Sequence, residues 1–370
     1  MRKKSFSILN IVVLFVNIVF LLGLLVSYLA NYISPEKSTY IAVFGLFYPY
    51  LLISNAFFII YWTLQRHRYV LISLVGILIG FTFIPRLYQL KGNKITEENE
   101  NTLKIVSYNV NLFGMYNSTL YADSIFQYIE QQKPDIVCFQ EYFQNKTHGY
   151  DKTIKQKIHT PYSYLFLQGK HRQLGLATFS TYPIVHSEKI QLPDTKANNA
   201  TYTDIDFKGD TIRIYNIHFQ SISLDVEDYL FTDQVTAAKV NLQTEDSKKS
   251  MYRILNKLKI GYKARNKQVK TIVEHIKTSP YPVVVCGDFN DPPWSYTYQQ
   301  INNLLSDAFV KSGKGFGNTF FFNSRLSIRI DYIFYDNTIF DAFNFTVDKV
   351  NYSDHYPLHV VLKKRNLQTD

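Results

Sequence analysis

Six short polar clusters, each closing an apolar run, hold the residues best suited to chemistry: Asn109 in IVSYNVN, Glu141 in DIVCFQE, His218 in IYNIHF, Asp288 and Asn290 in VVVCGDFN, Asp331 in RIDYIF, and Asp354 with His355 in NYSDHYP. Carboxylates, carboxamides and imidazoles brought from the ends of several strands can build one metal-assisted hydrolytic site that no single local motif reveals. Glu141 and Asn109 offer oxygen ligands for Mg²⁺ or Mn²⁺, leaving positions for water and a phosphate oxygen. In VVVCGDFNDPPW, Gly287 permits a close backbone approach and Pro292-Pro293 stiffen the exit. Asp288 there can orient or deprotonate an attacking water, and Asn290 can hold the nucleophile or a phosphate without adding charge. His355 can hydrogen-bond a phosphoryl oxygen or exchange its proton, and either Asp331 or Asp354 can support it. His218 in the same company suits phosphate stabilisation or proton donation to the leaving oxygen. His67, His148, His159, His171, His186, His275 and His359 lack such surroundings. HExxH and CxxC spacings are absent, and Cys138 and Cys286, inside apolar runs, read as buried free thiols.

Positioning these groups falls to runs rich in Val, Ile, Phe and Tyr: 104–109, 136–140, 164–167, 174–179, 201–207, 211–217, 283–286, 330–335 and 359–362. Their lengths and β-branched content predict buried strands. Helical spacing over Thr119–Gln132 and Lys263–Lys277 predicts covers for the sheet faces, giving a two-layer β core flanked by helices. From Lys248 to Lys270 nine basic residues follow one another with no acid between. They read either as a solvated helix face or as an attraction for an anionic membrane surface or substrate.

The N-terminal quarter has another character. Ile8–Ala30, Tyr40–Leu64 and Tyr69–Leu90 are each long enough to cross about 30 Å of hydrocarbon and contain no acidic residue, which predicts three membrane spans. Pro49 is placed to kink the second, and Pro85 to mark the end of the third. Cations at positions 2–4, 66 and 68 predict a cytoplasmic N-terminus and a C-terminal domain on the other side. Residues 1–95 hold nine Lys or Arg and one acidic residue, a net of +8 out of the chain's +10, leaving 31 basic against 29 acidic residues beyond. The basic balance therefore reports cations flanking the apolar segments and gives no nucleic-acid footprint.

The ordered fragments SYNVN, PDIVCFQE, GLATFSTYPI, YNIHF, GDFNDPP, RIDYIF and SDHYPL, spanning about Leu103 to Lys363, resemble the endonuclease/exonuclease/phosphatase (DNase I-like) superfamily. The resemblance implies an α/β, four-layer sandwich of two mainly antiparallel sheets flanked by helices, here preceded by a three-helix transmembrane region. The expected division is a three-span region 1–90, a linker 91–102 and a catalytic domain 103–365. By the same resemblance, Glu141 is the metal ligand and Asn109 helps bind metal or phosphate. Asp288 activates water and Asn290 orients the phosphate or nucleophile. His218 and His355 stabilise the phosphoryl group, Asp331 pairs with His355, and Asp354 adjoins the metal and water. The expected reaction is Mg²⁺- or Mn²⁺-dependent hydrolysis of a P–O bond by activated water. A membrane-associated, lipid-derived phosphodiester or phosphomonoester is the first expectation, with the lipid bilayer as partner and an inner-membrane location, catalytic domain outside the cytoplasm. DNA as substrate is the alternative, and a noncatalytic membrane interaction domain is a third reading. Residues 221–260 exceed the connection this family needs, and are expected to form an inserted cover or membrane-facing element.

Overall fold

The computed structural model describes residues 7–96, 99–115, 120–145, 150–194, 198–323 and 326–365; Thr119, His148 and linker residues 97 and 98 lie outside these. Twelve strands matter for the site: β1 (Thr102–Asn109), β2 (Ile136–Asn145), β3 (Tyr162–Gln168), β4 (Arg172–Ser180), β5 (Ile184–Ile190), β6 (Asn199–Phe207), β7 (Asp210–His218), β8 (Val283–Asp288), β9 (Ser306–Asp307), β10 (Asp331–Tyr335), β11 (Phe340–Val347) and β12 (Leu358–Lys364). They form two six-stranded sheets, ordered β11-β12-β1-β2-β4-β3 and β9-β10-β8-β7-β6-β5. Only β1/β2 and β7/β8 pair in parallel; the other neighbours are antiparallel.

Two apolar faces per strand explain the layering. Leu103, Ile105, Ile212, Ile214, Val284 and Cys286 point between the sheets. Their alternating neighbours point outward: Val106 and Tyr108 meet Ile125 and Ile129 of a helix over Ala122–Gln132, and Tyr215, Ile217, Val283 and Val285 meet Val269, Ile272 and Ile276 of a long helix, Glu245–Lys277. Sheets covered on both faces need near-continuous apolar runs, as these strands have. Each fully buried Ile or Val contributes about 1.5–3 kcal/mol over exposure. The chain thus has the expected sandwich of sheets flanked by helices. Cys138 and Cys286 are buried free thiols in its middle.

The runs at β5 and β11 were not anticipated as strands. Both are sheet edges; β5 (IVHSEKI) exposes most of its residues and β11 breaks register between Phe343 and Thr346. Edge strands with polar faces carry little periodic signal. The helix over 245–277 begins far earlier than Lys263, because its first half packs on the helices Val226–Thr236 and Thr39–Gly45 rather than on a sheet. That pairing also settles the basic run. Arg253 meets Glu227 and the fully buried Asp228, and Lys257 meets Asp225 and Asp228. Lys248, Lys249, Arg265, Lys267 and Lys270 pair with Glu245, Asp246, Asp291, Asp194 and Glu36. Seven of the nine cations thus have an acidic partner within the fold, which favours the reading of the run as a solvated helix face.

The first helix, Ile8–Leu29, is the one described helix that is by itself long and apolar enough to cross a membrane. The other two candidates are bent pairs: Thr39–Gly45 with Tyr48–Leu64 at 57°, and Val70–Ile79 with Phe81–Leu87 at 59°. Pro49 lies in the first turn of the segment after its bend, and Pro85 in the first turn of the short helix Ile84–Leu87, where a missing N–H leaves no internal bond unmade. One helix by itself, or three if each bent pair is a single broken span, is long and apolar enough to cross a membrane, so three clear spans are not shown. The expectation of an integral inner-membrane protein with an extracytoplasmic catalytic domain is corrected, because two of its three supposed spans have axes broken by nearly 60°. The helices pack together around buried polar groups, with Asn17 donating to Ser73, Ser73 to Asn55, and the Trp62 indole to Asn17.

Candidate active site

Strand direction assembles the site. The parallel pair β1/β2 sets Asn109 beside Gln140, and the parallel pair β7/β8 sets His218 beside Asp288, so both pairs end at the same edge of the sandwich. There the antiparallel β10 begins, with Asp331 opposite Asp288, and β12 begins just after His355. Gly287 makes the close approach expected of it: a Cβ there would lie 2.0 Å from the Ile217 carbonyl oxygen.

Glu141 does not end its strand. It sits in a bulge between Phe139 and Tyr142, with φ of 50°, and β2 continues to Asn145. A bulge at that point re-aims one side chain without ending the ladder, and a non-glycine residue in the left-handed region is held there by its surroundings. Asn290 is likewise left-handed, with φ of 53°. Its N–H donates to Asp288 Oδ1 at 2.8 Å and its Nδ2 to the Phe219 carbonyl at 3.0 Å. The turn after β8 therefore aims Asn290.

At the centre, Asn109 Nδ2 donates to Glu141 Oε1 at 3.2 Å and to Asp288 Oδ2 at 3.0 Å. Its own Oδ1 accepts the Asn111 N–H at 3.0 Å. His218 Nε2 lies 3.7 Å from Glu141 and 3.6 Å from Asp288, with no hydrogen-bond partner. His355 Nδ1 is 2.9 Å from Asp331 Oδ2, and its Nε2 is 3.8 Å from Asp288 Oδ2. Asp331 Oδ1 is unpartnered. Ser353 binds the loop in place, donating to the Asn109 carbonyl at 2.8 Å and accepting the His355 N–H at 3.2 Å. Asp354 faces Ser353, whose hydroxyl is 3.2 Å from its Oδ1, and of the two acids beside His355 it is Asp331 that touches the ring. All eight residues singled out in the sequence meet at one edge.

Charge is crowded here. Burial raises the Glu141 carboxyl above its usual range, aided by Asp354 and Asp331 and opposed by His355 and Asn109. Burial and then Asp331 push Asp288 up to about 6, against the two histidines. Burial lowers His218, keeping it neutral. Burial would also lower His355, but Asp331 and Asp288 outweigh it and raise the imidazole well above its ordinary value. Asp288, Asp331 and His355 offer ligand atoms all within 4.8 Å of one another, a spacing that can hold a metal ion. Buried carboxylates without a cation, orphaned polar atoms beside them and a donor set dominated by oxygen all fit a hard divalent ion.

Several participants were not recognised in the sequence. Gln140 Nε2 donates to Asn216 Oδ1 at 2.8 Å, and Asn216 Nδ2 reaches the carbonyls of Phe139 and Ala177 at 3.1 and 3.2 Å. These wholly buried carboxamides join the sheets beneath the site. A carboxamide in the middle of an apolar strand was the available signal, since such a group must find partners. Tyr229, on the helix Val226–Thr236, has its phenol pKa raised by burial and by the charges of Asp354 and Glu141, and so lies within electrostatic reach of the site.

Residues 106–355 match the Endonuclease/Exonuclease/phosphatase family, and the chain belongs to it. Residues 10–87 match a domain of unknown function (DUF8431). No curated protein is significantly similar to the chain. Among solved structures, an endonuclease/exonuclease/phosphatase family protein from Bacteroides thetaiotaomicron is 19% identical, with a TM-score of 0.50 over 70% of this chain and 94% of its own, and shares the fold. The human Nocturnin catalytic domain with bound sulfate is 16% identical, TM-score 0.49, over 71% and 94% of the two chains. A D. rerio TDP2 humanized by 14 mutations is 18% identical, TM-score 0.47, over 71% and 99%.

Proposed function

We propose that the chain is a divalent-metal-dependent phosphodiesterase acting on nucleic-acid phosphodiesters, with residues 103–365 as the catalytic domain, 91–102 as a connector and the preceding helices as a separate unit. The observation that carries this reading is the single Asn109 carboxamide shared by Glu141 and Asp288, with the unpartnered His218 Nε2 facing both. Two carboxylates drawn together by one shared donor are poised for a cation, not for each other. Glu141 and Asp288 would hold Mg²⁺ or Mn²⁺, and the ion, when bound, would neutralise phosphate charge and polarise the P–O bond. Asn109, expected as a second ligand, turns its nitrogen to the carboxylates and so gathers them. The neighbouring cluster suits an ion less well, because a protonated His355 has no lone pair for one.

Asp288 orients the attacking water and receives its proton, a role suited to a carboxyl raised toward neutrality. Charged His355, held by Asp331, donates to a phosphoryl oxygen; neutral His218 and Asn290 fix the others without adding negative charge. Asp354 borders the water. The nucleic-acid reading is favoured over a lipid ester by the family's nuclease membership and by loss of the lipid argument's supports, since the basic run is internally paired and two of three apolar segments are bent. The test is hydrolysis of a short single-stranded oligonucleotide, a generic phosphodiester and a sphingolipid phosphodiester by the full chain with Mg²⁺. Turnover of the lipid alone would overturn the substrate assignment.

A further inference from the structure

The helices before residue 90 touch the catalytic domain along the long helix Glu245–Lys277, where Ala42 packs on Leu258 and Tyr262 and Glu36 meets Lys270, and again around Arg86, beside the catalytic edge. Arg86 lies over the ring of Tyr298, 4.8 Å from its centroid, and donates to Asn31 Oδ1 at 3.0 Å, to the Pro293 carbonyl at 3.1 Å and to Gln299 Oε1 at 2.8 Å. Asn31 donates to the same Gln299 oxygen at 2.8 Å. The Arg86 carbonyl in turn accepts from Arg329 Nη2 at 2.9 Å, while Arg329 Nη1 meets the buried Asp307 at 2.7 Å. Trp294 closes the contact from the other side, buried among Leu24, Tyr28, Tyr48 and Phe83, its ring 5.1 Å from that of Tyr48.

What Arg86 grips is informative. Pro293 is three residues past Asn290, and Arg329 is two residues before Asp331. The Tyr332 hydroxyl joins the same two stretches from inside the domain, 2.7 Å from the Asp291 carbonyl and 2.9 Å from that of Arg329. One guanidinium and its own carbonyl therefore tie the exit of β8 to the entry of β10, the two chain segments that present Asp288 and Asp331 to each other. Arginine's planar fork serves three acceptors at once, which no other side chain in that place does.

We infer that the N-terminal helical unit is a scaffold for the catalytic edge, and that Arg86 is the positioning residue through which it fixes the Asp288 and Asp331 segments. The inference rests on the proposed site chemistry for its effect on turnover, but not for its effect on the backbone. Hydrogen exchange of the full chain separates the two. In Arg86→Met, exchange of the Phe289, Asn290, Ile330 and Asp331 amides is expected to quicken by about tenfold or more, as befits loss of hydrogen bonds to a charged group, while β6 keeps its protection. Gln299→Leu should act in the same direction more weakly, and decides the matter if Arg86→Met does not fold. Arg86→Lys, with charge but no fork, should fall between. In turnover, Arg86→Met should lower kcat with KM changed less than about twofold. Unchanged exchange at these four amides, or an equal rise in β6, would overturn the scaffold role. Wild-type protein that hydrolyses no phosphoester while the exchange pattern holds would overturn the proposed chemistry and leave the scaffold standing.

Discussion

One imidazole spans two facing carboxylates: His355 lies 2.9 Å from Asp331 through Nδ1 and 3.8 Å from Asp288 through Nε2, across the register pair that joins β8 to β10. The contact with Asp331 orients the ring and, with Asp288, keeps it charged despite burial. The other ring nitrogen is left to face the reacting group.

Removing the charge of Asp331 tests this directly. Burial alone lowers a histidine's pKa, so in Asp331→Asn the raised pKa of His355 must fall. If His355 acts protonated, the alkaline limb of the kcat/KM profile moves to lower pH by about one unit or more, and kcat drops roughly a hundredfold. A pH profile that falls in height without moving would show that Asp331 only supports the loop.

Asp288 links stability to pH. Its folded pKa of about 6 stands above the ordinary 3.8, so the folded metal-free protein binds this proton more tightly than the unfolded chain. The resulting stability is full below about pH 4 and is lost as pH rises through about 6. In Asp288→Asn that loss is absent, so the variant gains a few kcal/mol on wild type between those limits. Mg²⁺ should raise the wild-type melting temperature more at pH 7.5 than at pH 5. Urea denaturation and thermal melts across that range check both, and a wild-type-to-variant gap independent of pH would count against the burial of a raised carboxyl.

The neutralised helix 245–277 bears on substrate length. If only one or two phosphates are contacted, the slope of log(kcat/KM) against log[salt] is no steeper than about −2, whereas six contacts would give about −5. Replacing Lys248 and Lys249 by Gln should then change DNA cleavage less than about twofold. A steep slope, or a large loss in that double variant, would place a long polyanion along this helix.

Tyr229 should touch the organic part of the substrate at the mouth of the site. Tyr229→Ala is expected to raise KM about tenfold with a smaller effect on kcat, consistent with lost stacking on a base of about 1–3 kcal/mol. Equal KM values for the two proteins would remove the helix Val226–Thr236 from the binding surface.

Most of the site could be read from the sequence because its residues close apolar runs: a polar side chain after VVVCG or DIVCFQ has no reason to be there on packing grounds. Their company was harder to read. Two parallel pairings bring Asn109, Glu141, His218 and Asp288 together over separations of up to 179 residues, and periodicity carries no pairing information. Between Asp331 and Asp354, both one step from plausible geometry, only register could choose. The bulge at Glu141 and the left-handed turn at Asn290 were invisible for the same reason, since tertiary contacts and not residue type hold them. The apolar N-terminal runs were recognised as helices, but hydropathy counts residues along a line and is blind to a bend.

The most direct test is cleavage of a short single-stranded oligonucleotide by full-length protein stripped of metal, then given Mg²⁺, beside Glu141→Gln and Asp288→Asn prepared in the same way. The expected result is no turnover without metal, recovery on its addition, and a loss of at least about a hundredfold in each variant. Turnover that persists without a divalent ion, or that survives in both variants, would contradict the claim that these strand ends form one metal-dependent hydrolytic site.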